Sequence, residues 1–363
     1  MADTYGQAPA KQLSRVLALA ATLTIVISGC TGNNDTPGEH PAGDKNPVTS
    51  DGRPGGTLTV YSRDRDLAEP LFEQFERRTG IQIRARWGDP IELADQIIAD
   101  RGSSPADVYY GPLSDALGSL SESGRLAKLS DRQIRQVPPA YRSPDGTWVG
   151  TAGRAHVVYY NTDQFMAADL PDSILGFNDP AWRDHIAWDP TSRSLRDVVT
   201  EIRALKGENA AQRWLNGIEA NRPTTIRGAE AIIDVVSKGE IADVGFGSHS
   251  YLYEMHADGE ALNVGAKFYR GNEPGGLLNM GGVGIIKGTD NPAAANALVD
   301  FLLSRQAQQY MVKDSYEIPV IKNVKLPKGI PSAKQLVVPG LDARKFEELP
   351  DADRLLTNTG VIR

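Results

Sequence analysis

The chain has 363 residues, a formal net charge of −7 and a single cysteine. The acidic balance argues against nonspecific nucleic-acid binding, and one cysteine excludes an internal disulfide or a cysteine-built metal site. The length allows two sizeable cores.

Lys11 and Arg15 form a positive start, and Val16 to Ile27 an apolar run. Small residues follow, ending at Cys30. Charge, short apolar stretch and small residues together read as a secretory signal over 1–29, too short for an ordinary membrane span. Ile27-Ser28-Gly29-Cys30 resembles the bacterial lipobox, which implies that Cys30 is lipidated and becomes the first residue of the mature chain. Residues 31–55 hold almost nothing apolar and are rich in Gly, Pro, Asn and Asp. Such a stretch cannot offset its ordering entropy and reads as a tether, so 30–55 joins a lipid anchor to the globular body.

From Gly56 onward strands and helices alternate. Leu58–Tyr61 reads as a strand, and a helix follows with Leu67, Leu71, Phe72 and Phe75 on one face, closed by Gly80. Ile81, Ile83, Ala85 and Trp87 alternate as the next strand. Asp89-Pro90 opens a second helix as cap and first-turn proline, and Ala106–Tyr110 is a third strand. This order implies parallel strands with ligand chemistry at their carboxyl ends. A second set begins with a strand over Ala155–Asn161, then helices at Ser194–Lys206, Ala210–Ala220 and Gly228–Lys238, and a strand over Ile241–Gly247. An apolar strand at Leu277–Ile286 precedes one long helix from Asn291 to about Val312. Neither a Gly-x-Ser-x-Gly elbow nor a phosphate loop ending in Gly-Lys-Ser/Thr occurs, so no enzyme is expected.

Several segments in order resemble the periplasmic ferric-iron-binding family of solute-binding proteins: Leu58–Ser62, Phe75–Ile83, Trp87-Gly88-Asp89, Ser104–Val108, Gly153-Arg154-Ala155, Val158–Thr162, Tyr251-Leu252-Tyr253 and Val299–Leu302. The resemblance implies an α/β fold with two lobes, mixed sheets flanked by helices and two crossover hinge strands. Lobe 1 is expected at 56–154 plus about 280–320, and lobe 2 at 155–279 plus about 321–363. It also implies a monomer on the outer face of the cytoplasmic membrane or in the periplasm, delivering a solute to an ABC permease and its ATPase, with no catalysis and no resident cofactor.

Relatives hold Fe³⁺ with two adjacent tyrosines, a histidine after the first strand and a glutamate after the Pro-Ala-Asp motif. Here these positions read Ser250-Tyr251, Arg65 and Pro112, so Tyr251 alone is kept as a metal ligand. Phenolate and carboxylate oxygens suit so hard an ion, whereas a guanidinium cannot ligate it. His249 is a candidate replacement if its segment is extended, because residues two apart then share a side. The relatives' anion-holding stretch reads Thr191-Ser192-Arg193-Ser194, and Thr224–Gly228 leads into another helix. Helix N-termini with hydroxyls and arginines suit anions, and Arg65, Arg154, Arg193 and Arg227 are expected to face one cleft with Ser192 and Ser250. Iron, carried with a synergistic anion, is the cargo the family implies. The residues themselves suit a small organic or phosphorylated anion, and an envelope ligand sensor without a transporter is the reading from another class.

Overall fold

The structure, a computed structural model, describes residues 56–112, 116–271, 273–276, 278–336 and 352–362. The expected signal, Cys30 and the tether lie outside the described residues. Among the described residues no helix is long and apolar enough to cross a membrane.

The first half runs β1 (Thr57–Ser62), α1 (Arg65–Thr79), β2 (Gln82–Trp87), α2 (Pro90–Ala99), β3 (Val108–Pro112), α3 (Gly118–Glu122), α4 (Asp131–Gln136) and β4 (Trp148–Asn161). The local signals act as read. Leu67, Leu71, Phe72 and Phe75 are buried along α1, and Gly80 ends it at φ 77°, a left-handed conformation that glycine adopts without a Cβ clash. The Asp89 side chain accepts hydrogen bonds from the backbone of Ile91 and Glu92 at the start of α2.

Next come β5 (Ile186–Trp188), α5 (Arg193–Lys206), α6 (Glu208–Ala220), β6 (Thr224–Thr225), α7 (Ala229–Lys238), β7 (Val244–Ser248), α8 (His249–Ala257), β8 (Val264–Lys267) and β9 (Leu278–Ile285). The chain closes with α9 (Pro292–Leu302), α10 (Arg305–Ser315), β10 (Ile318–Pro319), α11 (Ala333–Leu336) and α12 (Ala352–Asn358). The single helix expected from Asn291 to about Val312 is therefore two. The Leu303 and Ser304 amides close α9 on Val299 and Phe301, and the Ser304 hydroxyl caps α10 by accepting from the Ala307 amide.

The sheet order is β2-β1-β3-β9-β4-β7-β5-β6, with β10 and β8 also paired to β4. β2, β1 and β3 are mutually parallel, as are β7, β5 and β6, whereas β9 and β4 run antiparallel to their neighbours. β4 begins at Trp148, well before the expected Ala155, and its two parts serve different partners. Trp148–Ala155 pairs with β9, and His156–Asn161 pairs with β7 and β8.

Apolar clusters follow the same division. Leu58, Val60, Phe75, Phe301 and Met311 pack together at one side; Phe177, Trp188, Trp214 and Phe246 form a separate core. Burying each such side chain stabilises by about 1.5–3 kcal/mol. Val320, Ile330, Ala333 and Leu336 pack with the first cluster, although the sequence placed about 321–363 with the second group. Of that stretch, Ala352, Leu355 and Leu356 join the second.

Candidate functional site

A cavity of about 260 Å³ opens where the parallel strands end and β4 changes partners. Ser62, Arg63 and Asp64 reach it from the carboxyl end of β1, and Tyr110, Gly111 and Pro112 from that of β3. Arg154 and His156 come from the middle of β4, Arg193 and Ser194 from the first turn of α5, and Ser248 and Tyr251 from the β7–α8 junction. Asn279, Met280 and Gly281 of β9 and Glu317 complete it.

Its polar groups form two sets. Arg154 Nε lies 3.4 Å from Glu317 Oε1. Burial pushes the Glu317 carboxyl up to about 7 against the pull of Arg154, with Asp64 adding to the rise. Burial also pushes the Tyr110 phenol well above its ordinary range. The other set lies along α5. His156 Nδ1 shares a hydrogen bond with Ser194 Oγ at 2.9 Å, and Nε2 lies 3.3 Å from Glu201 Oε1. Asp197 Oδ2 accepts from Asn279 at 2.6 Å and lies 3.9 Å from Arg193 Nε. Arg193, Asp197 and Glu201 are four apart, which puts them on one helical face. Burial first, then His249 and Arg193, hold the His156 imidazole down at about 4, so it is neutral at neutral pH.

Of the residues singled out in the sequence, Tyr251, Arg154 and Arg193 line the cavity. Five do not. Arg65 is a correction: it is exposed at the start of α1 and forks onto Glu69, with Nε and Nη2 each 3.0 Å from a carboxylate oxygen. Starting a helix turns it outward, and Arg63, two residues earlier, takes the place in the cavity. His249 is a second correction. Its segment is helical, so it does not share a side with Tyr251. It is fully buried, its Nδ1 accepts from the Ala155 amide at 3.0 Å and its Nε2 donates to the Tyr316 carbonyl at 2.8 Å. With both nitrogens used, it stitches α8 to β4 and to the turn before β10. Ser250 is buried beside Ser248, with hydroxyls 3.3 Å apart, and outside the lining.

Ser192 is a helix cap. Its hydroxyl donates to the Asp189 carbonyl at 2.8 Å and accepts from the Leu195 amide at 3.2 Å. Arg227 is exposed, and the anion donors expected around it already serve a carboxylate of the chain. Asp189 accepts from the amide and hydroxyl of Thr191 and from the Gly228 amide. Those bonds outweigh burial and hold its carboxyl below the usual range.

Sequence reasoning missed Ser62, Arg63, His156, Asn279 and Glu317. Arg63 was legible in principle, since it directly follows a strand whose carboxyl end was expected to carry chemistry. Glu317 gives no local signal, because only the return of the chain to β4 brings it to Arg154. Among the described residues no group of three or more histidines, cysteines, aspartates and glutamates converges to hold a metal ion.

The family of bacterial extracellular solute-binding proteins matches residues 103–345. The Major ferric iron-binding protein of Neisseria meningitidis is 30% identical over 312 residues, covering 84% of this chain and 93% of that protein. The chain belongs to the ferric-iron-binding family of solute-binding proteins. The Fe(3+)-binding periplasmic protein of Serratia marcescens is 27% identical over 311 residues, covering 85% of this chain and 91% of its own. Among solved structures, iron-bound HitA from Pseudomonas aeruginosa superposes with a TM-score of 0.72 at 29% identity, covering 84% of this chain and 99% of that one. This ferric-binding-family protein is thus a non-enzymatic, exported binding component of an ABC importer. Arg63, Pro112 and Arg193 all line its cavity.

Proposed function

We propose that the protein captures iron-bearing cargo outside the cytoplasmic membrane by closing two lobes on the cavity, and hands it to a permease with a cytoplasmic ATPase. The observation that carries this reading is the cavity's place. It lies where β4 passes from one set of strands and its core to another, so residues from both sets face one ligand. In this reading lobe 1 holds β1–β3 with α9–α11 and lobe 2 holds β5–β8 with α5–α8, with β4 and β9 crossing between them as hinges. Cargo drawn to Tyr251 and Arg193 from one wall, Arg63 from the other and Arg154 on the hinge strand favours closure, since only the closed form uses all four.

Ferric iron is the cargo by kinship with the relatives that bear its name, and Tyr251 is the residue that offers it a phenolate. Cys30, acylated after signal cleavage, anchors the protein by its tether, and no second chain is required for the cavity. Small-angle scattering on the protein with and without ferric citrate tests closure, which predicts a smaller radius of gyration with cargo. Equal radii, with binding established independently, remove the closing mechanism. Cys30→Ala is expected to release the protein from the membrane fraction; retention there removes the anchor.

A further inference from the structure

The donors in the cavity do not match a bare ferric ion. Three guanidiniums, Arg63, Arg154 and Arg193, line it against two carboxylates, Asp64 and Glu317. Burial leaves Glu317 about half protonated at neutral pH, and His156 is neutral there. The cavity lining therefore holds more cationic than anionic side chains, with Asp197 3.9 Å from Arg193 behind it, and a trivalent cation entering alone meets three guanidiniums at close range in a site where water screens poorly. The ligand count agrees. Of the two phenols in the lining, burial holds that of Tyr110 protonated; Glu317 is paired with Arg154, and no group of three or more histidines, cysteines, aspartates and glutamates gathers to hold a metal among the described residues. One further feature points to a ligand. The Ser62 hydroxyl lines the cavity, is buried at 1% exposure, and has no hydrogen-bond partner among the described residues. A buried hydroxyl with no partner costs stability that a ligand atom can restore.

We propose that the cavity takes a small polycarboxylate anion, with or without iron inside it, and that Arg63, Arg193 and Ser62 select it by its carboxylate and hydroxyl oxygens. This rests on reading the cavity as the cargo site. Guanidiniums match carboxylates in shape as well as charge, two parallel N–H donors meeting two oxygens. Arg63 belongs to the β1 wall and Arg193 to the α5 wall, so an anion with two or more carboxylates bridges them, which a single point ion does not. In the iron-loaded case the anion itself supplies most of the oxygens around the metal, and Tyr251 adds a phenolate.

The test is calorimetric titration of the full chain in detergent with three probes: citrate, ferric citrate, and ferric acetohydroxamate, which carries iron without any carboxylate. Citrate or ferric citrate is expected to bind, and Arg63→Gln and Arg193→Gln each to weaken that binding about tenfold to a hundredfold. Both arginines are at least a third exposed on their elements, and unchanged melting temperatures would exclude a folding defect. Ferric acetohydroxamate is expected to give neither heat nor a tyrosinate-to-iron absorption band. If it loads the protein with that band, equally in wild type and both arginine variants, the cargo is the bare ion. The polycarboxylate proposal is then overturned while iron import stands. If citrate binds as tightly as ferric citrate, and Tyr251→Phe changes neither, the proposal stands and the iron reading falls. If neither citrate probe binds, the proposal is overturned.

Discussion

Glu317→Gln is expected to stabilise the protein, and by an amount that depends on pH. Glu317 is buried with its carboxyl raised from 4.5 to about 7, chiefly by burial and in spite of Arg154. A raised carboxyl means that the folded state holds its proton more tightly than the unfolded chain does. Unfolding releases that proton between those two values, so stability falls as pH rises through the window. Fully ionised, the group costs about 3 kcal/mol. Glutamine mimics the neutral acid in shape and charge, so the variant is expected to exceed wild type by about 1 kcal/mol at pH 5 and about 3 kcal/mol at pH 8. The Arg154 attraction is already contained in the value near 7, so losing it adds no separate penalty. Urea unfolding of both proteins at pH 5, 6, 7 and 8 measures the difference directly. A difference that stays flat with pH, or a variant less stable at pH 8, would falsify the account of Glu317 as a charge retained against stability beside the cargo cavity.

Acid should act the other way through the histidines. Burial holds His156 and His249 down from 6.5 to about 4, so their stabilisation is full above 6.5 and is lost as pH falls toward 4. That is about 2 kcal/mol each between pH 7 and pH 5, readable as a fall in urea midpoint in the Glu317→Gln background; an unchanged midpoint contradicts it. His249→Ala removes a fully buried ring and strands the Ala155 amide and Tyr316 carbonyl, and should cost about 3 kcal/mol or more by thermal unfolding. Ser192→Ala should cost about 1 kcal/mol through the lost helix cap and leave citrate affinity within twofold, since the cap lies outside the cavity lining. A larger affinity loss would restore Ser192 to the site. Gly247→Ala places a Cβ 2.4 Å from the Tyr159 ring, and a melting-temperature drop matching about 1–3 kcal/mol is expected from that overpacking.

The local pieces are legible along the chain. Asp89-Pro90 caps α2 because a carboxylate there accepts free amides, and the three- and four-residue spacing of Leu67, Leu71 and Phe75 decides which side of α1 is buried. The strand–helix alternation fixed parallel pairing of β1 to β3, and from it came the expectation that ligand groups lie at strand carboxyl ends. These signals depend on neighbours a few residues apart, and so are written in order along the chain.

Which charges meet depends on long-range packing. Arg65 and Arg63 are two residues apart and the resemblance pointed to Arg65, yet α1 starts at Arg65, which turns to Glu69 while Arg63 faces the cavity. His249 reads as a spare ligand until the fold packs it between Ala155 and Tyr316, whose backbone groups use both its nitrogens. Asp189 takes the donors of Thr191 and Gly228 that looked ready for an anion. Arg154 and Glu317 are joined only because the chain returns to β4 after α10. Long-range pairing of this kind leaves no periodicity in the sequence, and here it sets the charge of the cavity.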